Sequence, residues 1–139
     1  MDIERGWFYL ADLNPRRGTE PGKTRPVLVV QAEALNQAEH PSTVVVPVTT
    51  RVMEAPLLRV RVPRGSPGFD VDCDLMIDQV RAIDNRRLYR ADGGGLIKRI
   101  AKAEDAVLAE AETCLAIVLG IGETRAGDRR DPLPGGEER

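Results

Sequence analysis

The chain has 139 residues, of which 42% are hydrophobic and 4% aromatic, and its formal net charge at pH 7 is −2. These values fit one folded domain with an aliphatic core and exclude a disordered chain. No apolar run reaches the roughly eighteen residues of a membrane span, and no secretory signal pattern opens the chain. We therefore expect a cytoplasmic protein with no membrane partner.

The first half of the chain predicts strands that are separated by turn-rich segments. Residues 14–24 form a loop with several prolines and glycines, and residues 32–37 fit a single helical turn. Pro47 has no N–H to donate to a ladder, which predicts that it lies at a sheet edge or at a bulge. Three segments have the alternating or β-branched apolar residues of strands: 6–13, 25–31 and 43–49.

The second half of the chain predicts more strands, followed by one helix. The strand patterns fall at residues 58–62 and within residues 71–83, which support one or two strands. Residues 84–89 fit a helical turn with Asp84 as its N-terminal cap. From residue 97 to about residue 119, apolar residues recur at spacings of three and four, which predicts a helix.

Charged residues alternate along two of these strands. Arg59 and Arg61 are predicted on one half-exposed face. Asp70, Asp72 and Asp74 are predicted on the outer face of the next strand. A calcium loop of the EF-hand type would need Gly at its sixth position and Glu at its twelfth, and both are missing here. We therefore expect no metal site.

These elements predict one mainly β domain over residues 1–122, with the helix at its C-terminal end. Residues 123–139 are rich in proline, glycine and charge and are predicted to be disordered. Cys73 and Cys114 are too few for a four-cysteine metal site, so we interpret both as small core residues.

The usual hydrolytic motifs are missing from the sequence. His40 is the single histidine, and it lies in a polar loop where we expect an ordinary surface residue. One histidine cannot supply an acid–base pair, and no motif for zinc, nucleoside phosphate or dinucleotide binding occurs. We therefore expect no cofactor. Any hydrolysis by this chain would then run without a metal or a histidine pair. RNA is a substrate that permits this, because its own 2′-hydroxyl is an internal nucleophile that needs only alignment and charge stabilisation.

Four segments have the order and spacing of one family's motifs. They are residues 5–15 (RGWFYLADLNP, like RGDVYLADLDP), 18–31 (GTEPGKTRPVLVVQ, like GSEQGKTRPVLVIQ), 43–50 (TVVVPVTT, like TVIVAPITS) and 78–84 (DQVRAID, like EQIRTID). Together they span about residues 5–120 and resemble the MazF/PemK family of toxins. Each motif alone is weak, but the set is specific.

This resemblance implies a fold and an activity. The fold is an SH3-like barrel of the CcdB/PemK type that works as a homodimer. The activity is that of a metal-independent endoribonuclease, an mRNA interferase, which cleaves single-stranded mRNA at short motifs by attack of the 2′-hydroxyl. A cognate MazE-like antitoxin neutralises such a toxin.

The resemblance also implies the site residues. The positions that match the family's catalytic residues are Arg25, Thr49 and the loop carboxylate Glu20. The positions that match residues near the RNA or the dimer groove are Thr19, Asp78, Gln79 and Arg81. From its chemistry, Arg25 would stabilise charge on the scissile phosphate, because its high pKa makes it a poor base. The alternative for Arg25 is a structural ion pair with a carboxylate such as Asp78.

The sequence departs from the family at three places. Pro21 replaces a glutamine in the loop, Asp78 replaces a glutamate, and residues 56–61 (PLLRVR) replace a segment like LPTHVE. These differences bear on which bases are accepted rather than on the activity itself.

Two other functions fit the same kind of fold. A CcdB-like toxin would bind DNA gyrase without catalysis, but such toxins end in Trp-Gly-Ile, whereas this chain ends in Gly-Glu-Glu-Arg. An SH3-like adaptor would need an aromatic groove for proline-rich ligands. The chain has too few aromatic residues to build one easily.

Overall fold

The computed structural model describes residues 3–14, 17–20, 23–88 and 98–124. Its strands are β1 (Trp7–Asp12), β2 (Thr24–Val29), β3 (Ser42–Thr49), β4 (Arg59–Val62), β5 (Cys73–Met76), β6 (Arg81–Asp84) and β7 (Arg99–Lys102). Its helices are α1 (Glu33–Gln37) and α2 (Asp105–Val118), with 3-10 turns at Ile77–Gln79 and Asn85–Leu88. The protein is therefore mainly β with a C-terminal helix, as predicted.

All strand pairs in this sheet are antiparallel, and β3 is the strand that organises it. The main order is β4-β5-β3-β2-β1-β7, and β6 also pairs with β3. On one side, β3 pairs with β2. On its other side, the first half of β3 pairs with β6 and its last two residues pair with β5. This change of partner brings β4, β5 and β6 around the same strand.

Both faces of the central strands are covered, which explains their nearly continuous apolar sequences. Val27 faces one cluster and Leu28 faces the other, because successive side chains of a strand point to opposite faces. The first cluster joins strand residues to one face of α2: Phe8, Leu28, Val46, Val60, Leu75, Val107, Ala111 and Leu115. The second cluster lies on the opposite face: Ile3, Tyr9, Ala11, Leu13, Val27, Val29, Val45, Ile83 and Leu88.

The helix predicted from residue 97 is wrong over its first part. Arg99–Lys102 form β7, which pairs with β1, and α2 begins at Asp105. The backbone N–H of Leu10 donates to the Lys98 carbonyl at 2.9 Å, and that of Ala103 donates to the Gly6 carbonyl at 2.8 Å. Pairing with the otherwise open edge of β1 thus overrides the local helical pattern.

Pro47 does not lie at a sheet edge or at a bulge, contrary to the prediction. It lies within β3, opposite Val27 of β2. On the other side of β3, the pairing with β6 ends at Val45 and the pairing with β5 starts at Val48. Pro47 falls between these two pairings, so its missing N–H costs no ladder hydrogen bond.

Three smaller predictions concern the two cysteines, Asp84 and the C-terminal tail. Cys73 and Cys114 are free and buried, as predicted, and burial raises the pKa of both thiols. Asp84 accepts a hydrogen bond from the Arg86 backbone N–H at 2.9 Å, as expected of a cap on the turn that follows it. Of the predicted disordered tail, residues 125–139 lie outside the described residues.

Neither of the two described helices is long and apolar enough to cross a membrane.

Candidate active site

One face of the sheet changes from apolar to polar along β3. Val45 and Pro47 are buried on this face, whereas Thr49 at the end of the strand is half-buried. Thr49 lies opposite Asp74 of β5, and Asp74 lies opposite Arg61 of β4. These side chains share one face because directly opposed residues of antiparallel strands point the same way.

Arg25 joins this row from the other side of β3. Val27 of β2 lies opposite Pro47 of β3. Because the two strands are antiparallel, Arg25, two residues before Val27, comes opposite Thr49, two residues after Pro47. The row therefore runs across four adjacent strands. Its members are Arg25 on β2, Thr49 on β3, Asp74 on β5 and Arg61 on β4.

The proline that follows Arg25 explains how the arginine is held. One residue beyond the Val27–Pro47 pair, Pro26 comes opposite Val48. Pro26 has no N–H to donate to the Val48 carbonyl. The guanidinium of Arg25 donates to that carbonyl instead, from Nη1 at 3.3 Å. The Arg-Pro sequence thus fixes a half-buried cation next to Thr49.

The hydroxyl of Thr49 is oriented by the chain that follows it. Its Oγ1 accepts a hydrogen bond from the Arg51 backbone N–H at 3.1 Å. A hydroxyl has two acceptor lone pairs and one proton. Since this contact uses a lone pair, the proton can still be donated to a ligand oxygen on the polar face.

Glu20 and Arg81 form a second pair of candidate residues. Arg81 begins β6 opposite Val45, and its Nη1 lies 4.0 Å from Glu20 Oε1. This Nη1 is buried and has no hydrogen-bond partner among the described residues. A buried donor without a hydrogen-bond partner costs free energy, about 1–3 kcal/mol, and a ligand oxygen that it binds in the working protein is one explanation for such an atom. Val45 and Thr49 are four residues apart, so the two pairs are separated by about 13 Å along β3.

The other predicted RNA contacts lie next to this second pair. Thr19 is exposed and directly precedes Glu20. Asp78 is exposed and Gln79 half-buried in the 3-10 turn Ile77–Gln79, which leads into β6.

The base of the Glu20 loop is held closed by hydrogen bonds. Lys23 N–H donates to Asn14 Oδ1 at 2.7 Å, and Leu13 N–H donates to the Lys23 carbonyl at 3.0 Å. Arg87 Nη1 then donates to the Asp12 and Asn14 carbonyls at 3.0 and 2.6 Å. These two contacts join the base of the loop to the turn after β6, and sequence reasoning missed them because the residues are 75 and 73 positions apart in the chain.

The prediction that Asp74 lies on an outer strand face is wrong. Its side chain is 1% exposed and accepts hydrogen bonds from Arg61 Nε at 2.7 Å, Arg59 Nη1 at 3.3 Å and the Met53 backbone N–H at 2.9 Å. Burial is tolerable because two cations and an amide satisfy the carboxylate. The hydrogen bond to Asp74 raises the pKa of Arg61 further above its ordinary value.

Asp70 and Asp72 differ from Asp74 in that both are exposed. In the described part of the chain, no group of three or more His, Cys, Asp or Glu side chains is arranged to hold a metal ion. His40 is exposed, as expected.

Comparisons with known proteins agree on one family. Residues 4–119 match the model of the PemK-like, MazF-like toxins of type II toxin–antitoxin systems. The endoribonuclease EndoA of Bacillus subtilis is 31% identical over 122 residues, which cover 87% of this chain and 97% of EndoA.

Solved structures of similar proteins have the same fold. The crystal structure of MazF from Deinococcus radiodurans has a TM-score of 0.69 and 28% identity, and the match covers 86% of this chain and 97% of that one. In a MazE–MazF structure from the same organism, the matched chain has a TM-score of 0.64 and 27% identity, covering 86% and 96% of the two chains. This confirms the expected fold class. The chain belongs to the PemK-like, MazF-like toxin family of type II toxin–antitoxin systems.

Proposed function

We propose that this chain is a sequence-specific, metal-independent endoribonuclease that cleaves single-stranded mRNA by attack of the 2′-hydroxyl. Its family and its likeness to EndoA support the class of enzyme. The observation that carries the mechanism is the hydrogen bond from Arg25 to the Val48 carbonyl, since it holds a guanidinium next to the Thr49 hydroxyl. An mRNA substrate implies that the protein acts in the cytoplasm.

In the proposed reaction, the RNA supplies its own nucleophile. The 2′-oxygen forms a bond to phosphorus and the bond to the 5′-oxygen breaks. The 2′-hydroxyl proton is released to solvent, and the 5′-oxygen takes a proton from solvent and leaves as a hydroxyl. The products are a 2′,3′-cyclic phosphate and a 5′-hydroxyl end.

Each residue has a role that fits its contacts. Arg25 donates two hydrogen bonds to the non-bridging oxygens, whose charge grows in the transition state. Thr49 donates a third hydrogen bond to the same group. Glu20, paired with Arg81, positions the RNA, and Arg81 Nη1, which has no hydrogen-bond partner among the described residues, binds an oxygen of the RNA. Thr19, Asp78 and Gln79 contact neighbouring nucleotides.

Two observations test this reaction: whether cleavage requires the 2′-hydroxyl, and which end groups the products carry. RNA would be cleaved, the sites mapped, and a second RNA synthesised with a 2′-deoxynucleotide at one mapped site. We expect cleavage at that site to stop while cleavage at the other sites continues. Cleavage at the deoxy position, or 5′-phosphate ends, would rule out attack by the 2′-hydroxyl.

We also propose that a MazE-like antitoxin neutralises the protein by occupying the polar face. A relative from Deinococcus radiodurans was solved as a MazE–MazF complex, which supports this kind of partner. An acidic, partly disordered segment would be attracted to the arginines of this face. If the complex with the antitoxin bound RNA as tightly as the free toxin, this mode of inhibition would be wrong.

A homodimer is the proposed working form. Four large apolar side chains lie exposed within five residues at the end of α2: Ile117, Val118, Leu119 and Ile121. Clustered exposed apolar side chains mark interaction surfaces. A second copy of the chain is the proposed occupant, in line with the homodimers that the resemblance implies.

A further inference from the structure

The cluster of Asp74, Arg59 and Arg61 contains two arginines for one buried carboxylate. Asp74 is buried, and one arginine is enough to neutralise it. The two arginines differ in exposure, with side chains that are 15% exposed for Arg59 and 37% for Arg61. Arg61 is therefore the more exposed cation of the cluster, and outside the cluster it pairs with the exposed carboxylate of Glu54.

The guanidinium of Arg61 is oriented with its outer edge free for a ligand. Its Nε is held by Asp74 at 2.7 Å, which fixes the plane of the group. The Nη2 atom lies 3.9 Å from Glu54, whose side chain is 95% exposed. An ion pair as exposed as this one contributes little to stability. A phosphate could therefore displace Glu54 from Arg61 at a small cost in free energy.

The position of Arg61 connects it to the candidate active site. Thr49, Asp74 and Arg61 are consecutive members of one cross-strand row, and Arg25 completes the row on the other side of Thr49. Three strand spacings separate Arg25 from Arg61, which is about 14 Å between their Cα atoms. An RNA strand held at Arg25 and running across the strands would therefore pass over Arg61.

We infer that Arg61, oriented by the buried Asp74, binds a backbone phosphate of the RNA to one side of the scissile phosphate. This inference rests on the proposed function. Arg61 contributes to binding and register and touches no reacting atom, and Asp74 is a positioning residue. A guanidinium whose Nε is already bonded still offers both Nη atoms to a phosphate, in the fork geometry that suits this group.

The test compares two arginine variants, each at an arginine that pairs with a strand aspartate. In Arg61→Ala, the carboxylate of Asp74 keeps its bond to Arg59, so the fold should survive. Arg86→Ala is the matched control, because Arg86 also pairs with a strand aspartate, Asp84, at 3.0 Å. Asp84 lies opposite Ser42, at the far end of β3 from Thr49. The probe is an RNA oligonucleotide that contains a mapped cleavage motif with a 2′-deoxynucleotide at the cut site.

We expect Arg61→Ala to raise the Kd of this probe about tenfold, as for the loss of one charged hydrogen-bonding contact. The slope of log K against log salt should fall by about 0.7, the value for one phosphate of single-stranded RNA. With cleavable RNA, KM should rise similarly while kcat stays within about twofold of wild type. Arg61→Lys keeps the charge and should retain most of the salt slope. Arg86→Ala should behave as wild type.

Several results would overturn the inference. These are an unchanged Kd and salt slope in Arg61→Ala, the same change in Arg86→Ala, a lower kcat with unchanged Kd, or an effect on antitoxin binding alone. If Arg61→Ala does not fold, Arg61→Gln and Arg61→Lys replace it. If the wild type cuts RNA and Arg61→Ala binds the probe as tightly as the wild type, only this inference is wrong. If the wild type neither binds nor cuts RNA, the proposed function is wrong as well.

Discussion

Thr49 and Asp74 lie directly opposite each other across β3 and β5, on the face of the sheet that also carries Arg25. The same strand is buried on this face at Val45 and Pro47. One face of β3 thus serves both the core and the candidate site. A site built on strands rather than on loops is held rigidly, which suits catalysis by orientation and charge stabilisation.

Removing the Thr49 hydroxyl should lower kcat without unfolding the protein. Thr49→Val keeps the shape of the side chain but removes the hydrogen bond to the phosphate and the acceptor for Arg51 N–H. We expect kcat to fall about 10²- to 10³-fold, as for the loss of one oxyanion donor. Thr49→Ser should retain activity within about tenfold of wild type. Single-turnover cleavage of a mapped RNA measures this, and equal rates for Thr49→Val and wild type would contradict the role.

Arg81 should show a trade-off between activity and stability. Its buried Nη1 has no hydrogen-bond partner in the described structure and only a long ion pair with Glu20 at 4.0 Å, so Arg81→Leu removes an unsatisfied donor. We expect the free energy of unfolding to stay equal or to rise by about 1 kcal/mol, while kcat/KM falls more than about tenfold. Urea unfolding and cleavage kinetics on one preparation measure both. A large loss of stability together with full activity would mean that Arg81 is structural.

Glu33 should make stability depend on pH in the acid range. Its carboxylate accepts hydrogen bonds from the Arg5 backbone N–H at 2.8 Å and from Asn36 Nδ2 at 3.1 Å. The bond from Arg5, followed by that from Asn36, lowers the pKa of Glu33 below its ordinary value of 4.5. A lowered pKa in the folded state means that this stabilisation is present above about pH 4.5 and is lost as the pH falls through the folded-state pKa.

The variant Glu33→Gln measures that dependence. It should be less stable than wild type at pH 7, and the difference should shrink as the pH falls below about 4.5. Urea midpoints at several pH values between 7 and 3 give the comparison. A difference that is the same at every pH would show that the ionised carboxylate is not responsible.

The exposed end of α2 should control the oligomeric state. Ile117→Glu replaces one of the four exposed apolar side chains with a charge and should give the mass of one chain in light scattering, where wild type gives twice that mass. Leu35→Glu is the matched control, because Leu35 is 44% exposed on α1. A monomeric wild type would contradict the homodimer. A dimeric Ile117→Glu would mean that the interface lies elsewhere.

Much of the fold could be predicted because the strands have strong local patterns. The alternation of Cys73, Leu75 and Ile77 is typical of a strand with one buried face, and all three residues are in the core. Arg99–Lys102 could not be assigned in the same way, since Ile100 and Ala103 have a spacing that also fits a helix. What decides the conformation there is the open edge of β1, a partner about ninety residues away in the chain.

The candidate site was only partly predictable for the same kind of reason. Arg25, Thr49 and Glu20 were found through family motifs, and their assigned roles remain predictions. Asp74 was misassigned, because an alternating aspartate normally marks a solvent face. The sequence did contain a sign that Asp74 could be buried. Arg59 and Arg61 alternate on the neighbouring strand, and they compensate the buried carboxylate. Only the β4–β5 register brings these charges together.

The most direct test of the central claim is cleavage of a long single-stranded RNA in excess EDTA by the wild type, Arg25→Ala and Arg25→Lys. We expect site-specific fragments from the wild type and a rate at least about 10³-fold lower for Arg25→Ala, with partial activity for Arg25→Lys. The folded state of each protein is checked by thermal unfolding. Intact RNA from a folded wild type, cleavage only after a divalent metal is added, or equal cutting by wild type and Arg25→Ala would contradict metal-free catalysis centred on Arg25.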